Sequence, residues 1–373
     1  MDVVAMTSEL ISFKSSSQRS NLEITDYLER SLRALEFEVE RLEYRDDHGV
    51  PKASLVAKKG TGTGGLALLS HSDTVPAEGW DHDPFQAVIR DGCLSGRGSC
   101  DMKGPLAATI AAAARFRPAE LRHPLYIVVT ADEEIGGVGA QSVARDSVLF
   151  NGAGLRYGVI AEPTRLAPVY AHKGGVRLTI TARGRAAHSS TVEGINANFL
   201  IAPFLAEMAE LHRLFQSDER YMNRAFDPPT NGWNMIIDNG NTPANVTAAR
   251  SVCTISFRPM PGDPSDEIIE MVWEKAAKYG LEFTASKRDP FVTPRDSAVV
   301  LAALAATERS EPGTVAFGTD AFAFAEKLEM VILGPGDIRQ AHTVGEWISL
   351  PQLQQAVGTY ARMIPRFCMG NGG

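Results

Sequence analysis

Apolar residues recur at helical spacing over residues 3–13 (VVAMTSELISF) and 20–36, which predicts two amphipathic helices at the start of the chain. Shorter apolar runs follow at 37–42, 53–57 and 66–69 and read as strands. An alanine-rich segment, 105–116, has its proline in the first turn and predicts a buried helix. The run LYIVVT at 125–130 is apolar on both faces, as a central parallel strand is, and YGVIA at 157–161 is another short strand. The pattern changes near residue 174. GVRLTITARG at 175–184 alternates polar and apolar residues, the mark of a half-exposed antiparallel strand. A long amphipathic helix at 196–214, strands at 233–239, 252–260 and 281–286, and a helix at 265–279 complete a β-α-β-β-α-β series. From about residue 296 the first pattern returns: a helix at 296–307, a strand at 330–333 and a last helix at 350–364.

The expected fold class is therefore α/β. A catalytic domain with a mostly parallel sheet (1–173 plus 288–373) is interrupted by a smaller α+β, ferredoxin-like domain (174–287). A chain of 373 residues, 44% of them hydrophobic, is long enough for two cores. The net charge of −8 argues against nucleic acid or an anionic membrane as partner. The absence of a long apolar run argues against a membrane span. The four cysteines form no CxxC pair and read as buried thiols of a reducing compartment. The N-terminus has no basic segment followed by an apolar stretch, so the expected location is cytoplasmic.

The chemistry gathers at the ends of the predicted strands. His71 and Asp73 follow the 66–69 run and share one face of an extended chain. Asp101 sits in a glycine-rich turn, Glu133 and Glu134 follow the 125–130 strand, Glu162 ends the 157–161 strand, and His342 follows the 330–333 strand. Each has an ordinary reading alone. HxD triplets are common, acids favour helix starts, Asp101 suits a turn, and His342 suits a cap. In combination they change the picture. A charge behind a buried strand is costly unless something compensates it, and in open α/β sheets the carboxyl ends of strands line one crevice. A pair of divalent metal ions held by His71, Asp101, Glu134, Glu162 and His342 is the simplest compensation. Mixed histidine and carboxylate ligation suits Zn²⁺, with Co²⁺ or Mn²⁺ as substitutes. Asp101 is the natural bridge, Asp73 the residue that orients His71, and Glu133 the spare carboxylate that a general base requires.

The segments HSDTVPAEGWDHDPF, GRGSCDMKG, TADEEIGGVGA, AEPT, RGRAAHSS, RPMPGD and LGPGDIRQAH resemble, in order and spacing, one family of metal-dependent amidohydrolases. It includes acetylornithine deacetylase, succinyl-diaminopimelate desuccinylase, aminoacylase and carboxypeptidase G. The closest stretches are those shared with bacterial acetylornithine deacetylases. The resemblance implies two zinc ions, one on His71, Asp101 and Glu162 and the other on Asp101, Glu134 and His342. It implies Glu133 as base, a cis Asp101–Met102 peptide, and a lid and dimerisation domain in a homodimer. His188 would stabilise the oxyanion in the partner's site. Arg258 and Asn245 would bind the substrate carboxylate, and a guanidinium matches a carboxylate bidentately. The implied reaction is hydrolysis of an N-acyl amino acid, first N2-acetyl-L-ornithine to L-ornithine and acetate. Succinyl-diaminopimelate, other N-acyl amino acids and dipeptides are the alternative substrates. The chain departs from the deacetylase pattern at GTDAF, where Cys-Thr-Glu is usual. The resemblance implies that this loop, with Gly318 and Thr319, lies near the substrate, and the departure leaves the identity of the acyl group and of the amine open. A non-catalytic metal-binding relative has no need of Glu133, and a two-metal phosphoesterase calls for basic or glycine-rich phosphate contacts that the sequence does not offer.

Overall fold

The structure, a computed structural model, describes residues 1–370. It separates into two compact units. The first comprises Met1–Tyr170, Thr293–Gly313 and Thr319–Gly373; the second comprises Ala171–Val292 and Thr314–Gly318.

The first unit is built on a mixed sheet. Its strands run in the order Glu38–Arg45, Pro51–Lys59, Leu125–Thr130, Leu66–His71, Tyr157–Pro163 and Glu329–Gly334. The last four are mutually parallel; Pro51–Lys59 runs antiparallel to its neighbour Leu125–Thr130, and Glu38–Arg45 runs antiparallel to Pro51–Lys59. Leu66–His71 and Leu125–Thr130 are buried along their whole length, which is why both read as continuous rather than alternating apolar runs. The helix Lys103–Ala113 is buried on every side, packed between the sheet and the helices Val3–Ser12 and Leu350–Cys368. Alanine suits that position because two neighbours can approach closely and no side-chain entropy is lost.

One feature is not visible in the hydrophobic pattern. Val88–Arg90, Cys93–Ser95 and Trp347–Ser349 form a small antiparallel sheet. These strands have three residues each, and Val88 and Ile89 are exposed, so neither length nor periodicity announces them. The sheet ties the turn before the Lys103–Ala113 helix to a segment some 250 residues away.

The second unit carries a four-stranded antiparallel sheet in the order Asn234–Asp238, Arg250–Phe257, Gly175–Arg183, Glu282–Arg288. The helices Ala197–Ser217 and Ser265–Lys278 pack on it over a separate core that includes Phe204, Phe215, Trp233 and Phe257. This is the β-α-β-β-α-β arrangement with its fourth strand beside its first. Among the described residues no helix is long and apolar enough to cross a membrane.

Candidate metal centre

Strand order explains why residues distant in sequence meet in the first unit. The strand ending at His71 lies between the strand that leads to Glu133 and Glu134 and the strand that contains Glu162. His71 stands opposite Thr130 in register. Asp101 arrives from the turn before the Lys103–Ala113 helix, next to a cis Asp101–Met102 peptide. His342 follows the short turn Ile338–Gln340 with φ of +61°, a left-handed conformation in which histidine is enriched.

Ligand atoms of His71, Asp101 and Glu162 lie within 4.8 Å of one another, and so do those of Asp101, Glu134 and His342. His71 Nε2 is 3.2 Å from Asp101 Oδ1 and 3.5 Å from Glu162 Oε1. His342 Nε2 is 3.4 Å from Asp101 Oδ2 and 2.9 Å from Glu134 Oε2. Asp101 thus gives one oxygen to each group, the geometry of a bridging carboxylate. All five residues expected as ligands are brought together.

The electrostatics call for positive charge. Burial pushes the Glu162 carboxyl well up, and the charges of Asp101, Glu134 and Asp320 add to that push. Glu134 is raised by burial and by Asp101. Glu133 is raised well above the ordinary range by burial, reinforced by Asp320, Glu162 and Glu134. Burial also opposes a charge on Asp101, but its hydrogen bonds to His342 and His71 outweigh it and hold that carboxyl low. His342 is raised to about 10 by hydrogen bonds to Asp101 and Glu134. Acids crowded in this way are stable as anions only beside cations.

Asp73 acts as a knot beneath the site. It is buried, its Oδ2 accepts from Ser17 Oγ at 2.7 Å, and its two oxygens accept from the backbone N–H groups of Glu133 and Glu134 at 3.3 Å. His71 Nδ1 lies 3.5 Å from the Asp73 carboxylate and closer, at 3.0 Å, to the Asp73 carbonyl. Either contact makes Nδ1 the donor and turns Nε2 toward Asp101 and Glu162. The orienting partner is therefore the Asp73 main chain as much as its side chain, a detail that residue types alone do not reveal.

The remaining expected residues lie elsewhere. His188, in the second unit, is exposed, has its Nδ1 2.7 Å from Ser190 Oγ, and lines a concavity of about 470 Å³ with Arg185, Thr191 and Glu193. Asn245 neighbours it, since its carbonyl accepts from Ser189 N at 3.0 Å. Arg258, also in the second unit, has its pKa lowered by burial and by Arg288. Gly318 belongs to the second unit and Thr319 to the first. Thr319 is buried and its hydroxyl accepts from Ala321 N at 3.1 Å, so this side chain is engaged in shaping its own turn. Ser17 and Asp320 carry no motif of their own. Asp320 is buried and accepts from Thr130 Oγ1 at 2.6 Å, and the one available signal was its place in GTDAF.

The fit to a divalent metal can be judged on the donor set. Two overlapping groups of imidazole and carboxylate, one carboxylate shared, are the ligands of hard-to-borderline cations. Glu134 Oε1 is buried and has no hydrogen-bond partner among the described residues, an arrangement that a cation relieves. A metal-dependent hydrolytic enzyme is the class that this fold and site define.

Comparison with known proteins gives the family. Residues 67–366 match the model of peptidase family M20/M25/M40. The chain is 34% identical to an acetylornithine deacetylase of Myxococcus xanthus, over 98% of this chain and 97% of that protein. It is 32% identical to an acetylornithine deacetylase of Proteus mirabilis, over 95% and 92%. Its fold is similar to that of an M20 family metallo-carboxypeptidase from Sulfolobus solfataricus, with a TM-score of 0.79 at 18% identity over 98% and 99% of the two chains. It is also similar to a dinuclear metal-binding peptidase of the M20 family from Bacillus subtilis, with a TM-score of 0.67 at 17% identity over 97% and 96%. The chain belongs to peptidase family M20/M25/M40 and is a metal-dependent amidohydrolase.

Proposed function

We propose that this chain hydrolyses the amide bond of an N-acyl amino acid, and that N2-acetyl-L-ornithine, giving L-ornithine and acetate, is its preferred substrate, as in arginine biosynthesis. The observation that carries the chemistry is the pair of ligand groups sharing Asp101. The substrate rests on full-length relatives of that activity.

His71, Asp101 and Glu162 would hold one cation, and Asp101, Glu134 and His342 the other. Zn²⁺ is the expected metal, with Co²⁺ or Mn²⁺ as replacements. When bound, such ions polarise a carbonyl and make a water molecule acidic near neutral pH. Glu133 is the base in this reading: its carboxylate takes a proton from water and returns it to the departing amine. Asp73 fixes the backbone that carries Glu133, so the base and its neighbouring ligand move as one piece. The Arg258 guanidinium grips the substrate carboxylate, with Asn245 as a second donor. Gly318 and Thr319 line the approach to the acyl group. His188 donates a hydrogen bond to the developing oxyanion.

His188 would act in a partner subunit of a homodimer in the cytoplasm. The second unit supports a second copy as partner, because Asn234–Asp238 is an edge strand that exposes Ile236 and Ile237, and the helix Ala197–Ser217 exposes Phe199 in its first turn. The test is a hydrolysis panel of acetylornithine, succinyl-diaminopimelate and several N-acyl amino acids with Zn²⁺ or Co²⁺. Acetylornithine should show the highest kcat/KM, and chelation should abolish turnover. Full activity after exhaustive chelation would refute the metal reading, and preference for another substrate would refute the assignment of acetylornithine.

A further inference from the structure

We propose that Glu346 is a positioning residue for the metal centre: it clamps the turn that presents Asp101 and ties it to the segment that carries His342. Glu346 is fully buried and contributes no ligand atom to either group. Its carboxylate takes four donors. Oε1 accepts from Cys100 N at 2.8 Å and Asp101 N at 2.9 Å. Oε2 accepts from Gly98 N at 3.0 Å and Arg97 Nη1 at 2.7 Å. The Glu346 carbonyl accepts from Gly96 N at 3.0 Å, and the next residues, Trp347 to Ser349, pair with Cys93–Ser95.

The chemistry of these contacts is specific. A buried carboxylate persists only where donors saturate it. Here three consecutive-turn N–H groups and one guanidinium do so, and the guanidinium balances the charge. Within the turn Ser99 N bonds to Gly96 O at 3.0 Å and Lys103 N to Gly98 O at 2.7 Å, while the N–H groups of Cys100 and Asp101, the two nearest the ligand, donate to Glu346. Gly98 has φ of +83°, and an added Cβ there meets Thr74 and Lys103 at under 3 Å. Asp101 serves both ligand groups, so a rotation of its backbone displaces both at once. Glu346 stands four positions after His342, whose imidazole faces Asp101 and Glu134. One side chain therefore sets the distance between two ligands that are 241 positions apart in sequence (342 − 101).

The inference rests on the metal reading above, and the experiment separates the two. Apparent Zn²⁺ and Co²⁺ affinities are measured by chelator competition on the wild type, Glu346→Gln and Leu353→Ala. Leu353 is a fully buried residue of the last helix and serves as a control for lost stability. Failure of the wild type to bind either metal would defeat the metal reading. Given wild-type binding, Glu346→Gln should weaken affinity by roughly ten- to a hundred-fold and alter the Co²⁺ absorption spectrum, as loss of an outer hydrogen-bonding partner does. Leu353→Ala should lower the melting temperature and leave affinity unchanged. Wild-type affinity in Glu346→Gln, or an equal loss in Leu353→Ala, overturns the proposal. Should Glu346→Gln fail to fold, amide exchange in the metal-free wild type decides: the Cys100 and Asp101 N–H groups should be strongly protected, and rapid exchange overturns the clamp.

Discussion

At the scale of single residues, the division of labour among the acids makes the sharpest prediction. Glu133 adjoins a ligand but belongs to neither ligand group. Glu133→Gln should therefore keep its metal content while kcat falls on the order of 10²–10⁴-fold, measured by metal analysis beside steady-state kinetics. His188→Ala should likewise retain metal and lose roughly 10²–10³-fold in kcat. On the proposed homodimer with His188 acting in its partner's site, the two inactive variants, mixed and reassembled, should regain part of the activity, because a hybrid would contain one intact pairing of Glu133 with His188; no regain would refute that arrangement. Four of the five candidate ligands were legible because each is an acid or histidine behind an apolar run, and Asp101 because it stands in a glycine-rich turn. Ser17 and Glu346 were not legible. A serine in a serine-rich stretch and a glutamate beside a tryptophan have no local signature, and their partners at Asp73 and at residues 98–101 are supplied by the fold.

At the scale of elements, the turn holding Glu133 and Glu134 depends on how the following helix docks. Gly139 lies in the first turn of the helix Val138–Asp146, against Ala131 just past the end of the Leu125–Thr130 strand. A Cβ there meets the Ala131 carbonyl, with Ala131 N at 2.7 Å and Ser54 Oγ at 2.8 Å. Gly139→Ala should force the helix outward, lower stability by about 1–3 kcal/mol in urea unfolding, and reduce activity through the displaced turn.

The second unit contains its own titrating element. His172 is buried against Phe291, with Nδ1 bonded to the Lys173 carbonyl at 2.8 Å and Nε2 buried without a partner among the described residues. Burial, with Arg288 and Arg258 adding to it, pushes its pKa down to about 4 from the ordinary 6.5. The unfolded chain then binds the extra proton first. The stability contributed by the neutral ring is complete above pH 6.5 and is lost as pH falls through about 4. The loss at pH 4 amounts to roughly 3 kcal/mol. His172→Phe should flatten that part of the pH profile in denaturant titrations.

At the scale of the whole molecule, the metal is expected to act as a ligand of the folded state. The groups that hold it are drawn from positions 71 to 342, and an unfolded chain cannot assemble them. Free metal at a hundred times its dissociation constant should add about 2.7 kcal/mol to stability, read as a rise in melting temperature that a chelator reverses. An unchanged melting temperature would mean that the crowded acids are stabilised without a cation.

The order of amino acids was enough to indicate the two layouts of strands and helices and the five residues that the fold gathers into two candidate ligand groups. Those features follow from periodicity, from the cost of burying charge, and from motifs held in short segments. Tertiary structure decided the rest. It placed the strand of His71 between those of Glu134 and Glu162, set the small sheet that joins residues 93–95 to 347–349, and gave Asp101 one oxygen for each ligand group. The reason is physical. Periodicity reports which face of an element is buried, whereas contacts between segments hundreds of residues apart depend on strand order and loop closure, which leave no local trace.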